Sequence, residues 1–451
     1  MPAARTFTER FHMDGNVLAL RHQGGAFYRH RGAGYQDVDE YEVRAWLYTF
    51  LEKALAWQFP KDRNKDPEPG PFKPTKPKVE NLLDALRAVC NLPTSCMAPY
   101  WLEGDCKLDP YEILPCSNGL LHIPTRTLLP PSARFFTLNG LNFGYSPAAA
   151  QPTNWFSFLR ELWPDDLQSQ QTLQEWIGYL LTPQTSLQKI CMLIGPKRSG
   201  KGTIGRVTRM LLGDRNVCGP TLSNMGEQFG LSILVGKSAA IIADARIGGK
   251  SDSAMVAERL LSISGEDLQT IPRKFLPDWN GKLSVRFMIL TNELPGIEDS
   301  SGALASRFLI LTLAKSFFGR EDHNLLDRFI PELPGILLWA LEGWDRLHKR
   351  GRFIQPSSSE QLIQTFEDLG SPIGAFVREI CEVGTGFEAL QAGLFQEWKS
   401  WCDSTGRRPG TAQAFARNLR AACPWLKVER PRVDGDQMRF WQGIRIRSKQ
   451  C

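Results

Sequence analysis

No apolar stretch in these 451 residues approaches the roughly 20 needed for a helix to cross a bilayer. Met1 to Arg10 is polar and lacks the apolar centre of a secretory signal. No membrane partner is expected, and the expected location is the cytoplasm of a bacterial host cell. Cys-x-x-Cys spacing is also missing among the ten cysteines, so without an export signal they read as reduced thiols, not as a disulfide framework. Cys90, Cys96, Cys106 and Cys116 cluster loosely with His122 nearby, but their spacing matches no zinc ribbon or finger. Buried small hydrophobes are their expected role. Internal repeats are absent. Disorder is excluded as the main state by 42% hydrophobic content, and the length accommodates about two to four domains with proper cores.

Charge of one sign is scarce overall, with 54 Lys and Arg against 48 Asp and Glu, a net charge of +6. The excess is local. From Arg417 onward stand Arg420, Lys427, Arg430, Arg432, Arg439, Arg445 and Arg447, opposed by Glu429, Asp434 and Asp436. Such a tail suits a phosphate backbone, with a solvated charged face as the plainer alternative.

What the chain does contain is a phosphate cradle. The apolar run Ile190 to Ile194 delivers the chain to Gly195-Pro196-Lys197-Arg198-Ser199-Gly200-Lys201-Gly202-Thr203, followed by the amphipathic stretch Ile204 to Leu212. A strand, a glycine-rich turn and a helix N-terminus present backbone N–H groups to an anion, and Lys201 reaches terminal phosphates. ATP is the expected guest, held by Gly195 through Ile204. Gly202 stands where a Ser or Thr commonly follows the lysine, so the hydroxyl for Mg2+ is expected from Thr203. Ile204, Val207 and Leu211 share one helix face, and Gly213 is placed to end the helix.

A phosphate loop calls for a carboxylate at the end of a second buried strand, to hold magnesium and polarise water. Ser238 to Ala243 is such a strand and ends at Asp244. A third, Phe287 to Leu290, ends at Thr291-Asn292-Glu293-Leu294-Pro295, where the Asn292 amide can position the attacking water. Arg307, just before the strand Phe308 to Leu313, sits at an element boundary from which it can reach a neighbouring subunit's nucleotide.

Elsewhere, Phe59 to Lys78 carries six prolines among alternating charges and reads as an exposed loop. Val79 to Val89 has a helical pattern, Ser117-Asn118-Gly119 marks a turn, and Asn154 to Leu181 reads as packed helices. The expected organisation is an N-terminal α/β region over 1–130, a helical collar over 131–186, the ATPase over 187–348, a linker over 349–370 and a terminal module over 371–451. In that module Phe376, Phe395, Trp398 and Trp401 fall at helical spacing and are assigned to packing. Thr411 to Ala422 then follows as a helix and Arg439 to Ile446 as a strand. Helices followed by a basic strand suggest a winged helix, with Arg417 and Arg420 on the recognition helix and Arg430 to Arg439 as the wing.

Gly236-Lys237, Ser264-Gly265-Glu266-Asp267 with Ile271-Pro272-Arg273-Lys274, Thr291 to Pro295 and Glu332 to Leu337 form an ordered set, extended outward by Leu173 to Thr182 and Asn118-Gly119. This set resembles the phage and plasmid primase-helicase family, the superfamily III helicase group that includes the poxvirus primase-helicase. The resemblance implies an α/β AAA+ core that assembles into a hexameric ring, binds ATP between subunits and moves along single-stranded or forked DNA. It also implies roles for Lys201 on phosphate, for Asp244 at a position usually held by glutamate, for Asn292 as sensor and for Arg307 as the trans-acting finger. A channel hairpin over Gly265 to Arg286 would bring Arg273, Lys274 and Lys282 to DNA. Further DNA contacts are expected from Arg417, Arg420, Arg432 and Arg439. Asp37-Val38-Asp39 resembles the paired aspartates of archaeal-eukaryotic-type primases only superficially, since it reads as a polar turn feeding the helix Tyr41 to Ala54. Primase would then come from a separate protein. An origin-binding initiator, a P-loop kinase acting on a small molecule and a nucleotide-switched scaffold remain the alternatives.

Overall fold

In the protein's computed structural model the described residues are all but 33, 60–65, 103–105, 244, 246–252, 275, 298, 300–301, 434–435 and 448–451; the side chains of 432, 433 and 436 are likewise outside the description. The chain opens with helix α1 (Pro2–Phe11), an antiparallel meander β1 (Leu20–Gln23), β2 (Ala26–Arg31) and β3 (Gly34–Val38), then α2 (Glu40–Glu52) and α3 (Lys76–Val89). Phe7, Leu20, Phe27, Val43, Leu47, Leu83 and Leu86 close a small core of their own. Asp37 and Val38 belong to β3, and Asp39 caps α2 by accepting from the Tyr41 N–H at 2.7 Å, so the segment is a strand end and helix cap rather than a turn.

The proline-rich segment is more structured than an open loop. Glu68–Pro71 pairs with Leu55–Gln58 as an exposed two-stranded ribbon, and α3 begins at Lys76 with Pro77 in its first turn. Proline is tolerated at both places, on a ribbon edge and where a helix has no use for the missing N–H.

A second meander, β4 (Ile113–Cys116), β5 (Gly119–His122) and β6 (Thr127–Leu129), turns at Ser117-Asn118 as expected. Helices α4 (Thr153–Leu162) and α5 (Leu167–Leu180) follow. Then come β7 (Ile190–Ile194), α6 (Lys201–Leu212), β8 (Val217–Cys218), β9 (Ala239–Ala243), α7 (Ser253–Ser264), the antiparallel hairpin β10 (Gln269–Arg273) and β11 (Leu276–Gly281), β12 (Arg286–Thr291), α8 (Ala303–Arg307), β13 (Phe308–Thr312) and α9 (Leu333–Arg350). Five of these strands form one parallel sheet in the order β8-β9-β12-β7-β13.

All five residues of β7 are buried, because both faces of the sheet are covered. Cys191, Leu193, Leu309 and Leu311 share a core with Trp155, Trp176, Val207 and Leu341 of the surrounding helices. Met192, Ile289 and Ile310 share the opposite core with Val256, Leu260, Leu304 and Phe366. Helices α5 and α9 approach so closely that a Cβ on Gly178 would lie 2.3 Å from the Ala340 carbonyl oxygen, so only glycine fits there.

Residues 349–370, read as a linker, contain α10 (Glu360–Gly370). Its Phe366 packs edge-on against Phe308 with centroids 4.8 Å apart, and the Gln355 side chain pairs with both the N–H and the carbonyl of Ile310 at 3.1 and 2.8 Å. The segment therefore belongs to the sheet's outer layer. The terminal module runs α11 (Pro372–Ile380), β14 (Cys381–Leu390), α12 (Gln391–Ser404), α13 (Ala412–Ala422), β15 (Lys427–Glu429), a ribbon of Arg432–Val433 with Asp436–Gln437, and β16 (Phe440–Ile446). Its sheet order is β14-β16-β15, closed over Phe376, Trp398, Phe415, Leu419 and Trp441. Among the described residues no helix is long and apolar enough to cross a membrane.

Candidate functional site

The loop after β7 turns into α6 through Gly200, whose φ of +89° favours glycine. Arg198 also holds a positive φ, 58°. The first turn of α6 lacks intrahelical acceptors for its N–H groups and carries the positive end of the helix dipole. Lys201, only 8% exposed, donates to the Gly195 carbonyl at 2.7 Å, the Pro196 carbonyl at 2.8 Å, Ser199 Oγ at 3.1 Å and Asn292 Oδ1 at 3.1 Å. Burial lowers its pKa from the ordinary lysine value.

The neighbourhood of Lys201 follows from strand order. Ile194, at the end of β7, is in register with Thr291 of β12 on one side and Thr312 of β13 on the other. Asn292 therefore leaves its strand beside the phosphate loop. On the far side of β12, Ala243 of β9 is in register with Leu290. Asp244, the next residue, lies outside the described residues.

Lys197 to Thr203 and Asn292 line a cavity of about 800 Å³, with Phe158 from α4 and Arg206 from α6. Its remaining wall comes from a segment the sequence reading passed over, carrying Phe317, Arg320, Glu321, His323 and Arg328. That wall is tied to the loop: the Phe317 N–H donates to the Arg198 carbonyl at 2.8 Å, Ser316 Oγ to the Lys197 carbonyl at 2.8 Å, and Arg198 pairs with Glu321 at 3.3 Å. The signal available was the density of charge after β13, without an apolar period to interpret it. The cavity's size suits a nucleotide.

Three of the residues expected to hold the nucleotide do not line the cavity. Gly195 and Pro196 serve the site through carbonyls that hold Lys201, and neither lines the cavity. Ile204 does not face it either, because its side chain is fully buried in the helix-side core and its N–H donates to the Gly200 carbonyl at 3.0 Å. Gly202 is exposed, with nothing nearer a built Cβ than Arg206 at 3.7 Å, and Thr203 lines the cavity half-buried.

Arg307 ends α8 just before β13, at the opposite edge of the sheet from Lys201. Its guanidinium is held by the Gln188 side chain and, at 3.5 Å, by the Ser264 carbonyl. The β10–β11 hairpin has Ile271 buried at its base and Lys274 exposed at its tip. Arg273 is half-buried, donating to the Pro277 carbonyl at 3.0 Å and to the Gly24 carbonyl of the β1–β2 turn at 3.2 Å. Lys282 sits at the hairpin's foot, paired with Glu266 at 2.6 Å, which separates it from the tip cations.

In the terminal module Phe415 and Leu419 bury one face of α13, leaving Arg417 and Arg420 exposed. Arg420 lies over Trp441, 5.3 Å from its ring, and Arg439 is exposed ahead of β16. The Arg432 side chain lies outside the described residues. Cys90 and Cys116 are buried in different cores, and burial pushes both thiols up to about 12. Among the described residues no group of His, Cys, Asp and Glu is placed to hold a metal ion, and His122 instead contacts Thr125 Oγ1 at 2.7 Å and Glu112 at 3.2 Å.

Residues 193–307, from the phosphate strand to Arg307, match a family model described as a family of unknown function (DUF5906). No curated protein matches the chain. Solved structures similar to it include the A-form apo structure of the NrS-1 C-terminal region, at 16% identity and a TM-score of 0.43, covering 66% of this chain and 77% of that one. An apo structure of NrS-1 residues 305–718 gives 15% and 0.41 over the same shares, and an A-form apo structure of that region gives 13% and 0.49 over 94% of this chain and 96% of that one.

Proposed function

We propose that the protein is an ATP-dependent, ring-forming DNA helicase of a phage, prophage or plasmid replication system, built on an AAA+ core with a C-terminal winged helix. The observation that carries the reading is the Lys201 ammonium at the carboxyl edge of the parallel sheet, within 3.1 Å of the Asn292 amide oxygen. A phosphate-gripping cation and a water-positioning amide are thus brought together from two adjacent strands.

Lys201 exchanges loop carbonyls for the β and γ phosphates of ATP, and Asn292 then orients the attacking water. Thr203 and Asp244 would supply the hard oxygen donors that suit Mg2+, whose chemistry there would be to neutralise phosphate charge. Five residues of strand separate the two sheet edges, roughly 16 Å, so Arg307 cannot serve the nucleotide of its own subunit. A ring offers it the neighbour's, which supports assembly into a homohexamer. The exposed tip of the β10–β11 hairpin is suited to tracking phosphates through the channel, and the exposed arginines of α13 to gripping a duplex. The terminal module's order of helix, strand, two helices, strand, ribbon and strand supports the winged-helix reading.

Lys201→Ala tests the core of this. The wild type should hydrolyse ATP, faster with single-stranded DNA, and the variant should fold while turnover falls by at least about a hundredfold. Wild-type turnover by a folded Lys201→Ala protein would remove the nucleotide site.

A further inference from the structure

The N-terminal module holds a second cavity, of about 460 Å³, between α1, β2 and α2. Its walls are aromatic. Phe50 meets Phe7 and Phe11 edge-on with centroids 5.4 and 6.1 Å apart, and His12 lies 5.1 Å from Trp46. Phe11 is nearly half exposed. His12 is buried at 4% exposure, and its Nδ1 has no hydrogen-bond partner. Cations supply the rest of the lining: Arg10 lies over Phe11 at 5.4 Å, Arg29 over Trp46 at 5.2 Å, and Lys53 is exposed at the end of α2. No carboxylate lines the cavity among the described residues.

Aromatic faces beside cations, in a cavity lined by no described carboxylate, match a guest that is flat and apolar on its faces and anionic at its edge. We infer that this cavity is a binding site for single-stranded nucleic acid, taking one unstacked base against Phe11 and Trp46 with the adjoining phosphates on Arg10, Arg29 and Lys53. The charge complementarity selects a nucleotide unit over an apolar peptide, and the cavity's volume admits one such unit. A duplex keeps its bases stacked inside and offers none. Beyond Ala54, at the cavity's edge, the chain continues into the ribbon bearing Trp57, 65% exposed, a platform for the next base along a strand. The inference extends the DNA-handling reading of the chain and is independent of ATP turnover.

The test uses the full chain and an oligo(dT) carrying 5-iodouracil, photo-crosslinked and mapped by mass spectrometry, with affinity followed by anisotropy of a fluorescein-labelled copy. The expected result is a crosslink within residues 7–12 or 46–57, together with an affinity loss of about tenfold or more in the triple variant Arg10→Gln, Phe11→Ala, Lys53→Gln. These side chains are exposed, basal ATP hydrolysis should be unchanged, and Phe11→Trp with the cations intact should retain binding. Crosslinks confined to the β10–β11 hairpin or the terminal module would overturn the inference. So would unaltered affinity in the folded triple variant. Displacement of the crosslink by dTMP at the same nucleotide concentration would reassign the cavity to a free nucleotide. A crosslink in the cavity of a chain that shows no DNA-stimulated ATPase would uphold this site while the motor reading failed.

Discussion

Lys201 and Asn292 are ninety-one residues apart and meet because two apolar strands, β7 and β12, lie side by side. Lys201 was legible from the glycine-rich turn after a buried run and Asn292 as the end of one, whereas Arg206, on the exposed face of α6, and Phe317 and Arg320, on a charged segment with no period, were not. Asp244 was expected by the same logic and lies outside the described residues. For Arg307 the position opposite Lys201 leads to a defined expectation. Arg307→Ala should bind ATP nearly normally but hydrolyse it at least about a thousandfold more slowly, because a finger stabilises charge that forms in the transition state. Mixing it with Lys201→Ala should restore some activity in rings that pair the two intact halves of one site. No recovery in subunit-exchanging mixtures would contradict a trans role. His12 gives a second expectation. Burial, then the nearby Arg29, lowers its pKa from 6.5 to about 4. The unfolded chain then binds a proton that the folded one refuses, so this contribution is constant above pH 6.5 and is lost progressively as pH falls toward 4. Thermal melts from pH 7.5 to 5 should show that decline, and His12→Gln should flatten it.

At the scale of elements, the hairpin β10–β11 was recognisable only as part of an ordered motif set, since its sequence alternates poorly and has a proline at position 272. Strand β14 escaped the reading for a different reason: Cys381, Val383, Phe387 and Ala389 do alternate with Glu382, Gly384, Gly386 and Glu388, but the two glycines, where the pairing with β16 shifts register, read as a break. Helix α10 was read as linker because serines and charges precede it, although Phe366, with Leu362 and Ile363, packs it against the core that holds Phe308. The hairpin's two cations differ in kind. Lys274 is exposed, whereas Arg273 ties the hairpin to the β1–β2 turn through Gly24. Lys274→Ala should therefore leave basal ATPase and assembly intact while slowing strand separation, and adding Arg273→Ala should deepen the loss by freeing the hairpin from the N-terminal module. A strand-displacement assay on forked DNA checks this, and a double variant unwinding at the parent's rate would return both residues to surface solvation.

As a whole molecule, the chain arranges an N-terminal module, a parallel sheet with helices on both faces, and a terminal module with its own aromatic core. The layered sheet was readable from its buried runs, because parallel strands covered on both faces are continuous in apolar residues. The mutual placement of the modules was not, since it depends on contacts between residues far apart in sequence, such as Arg273 with Gly24 and Arg126 with Asp345. In the proposed reading, Lys201 beyond the carboxyl ends of the strands and Arg307 before their amino ends would belong to two different nucleotide sites, shared between neighbours in a closed ring. Electron microscopy of the protein with a non-hydrolysable ATP analogue and single-stranded DNA tests that directly. The account predicts closed rings with DNA in the channel, nucleotide on Lys201 and the neighbour's Arg307 against it. Monomers that hydrolyse ATP under the same conditions, or rings with Arg307 far from every nucleotide, would contradict it.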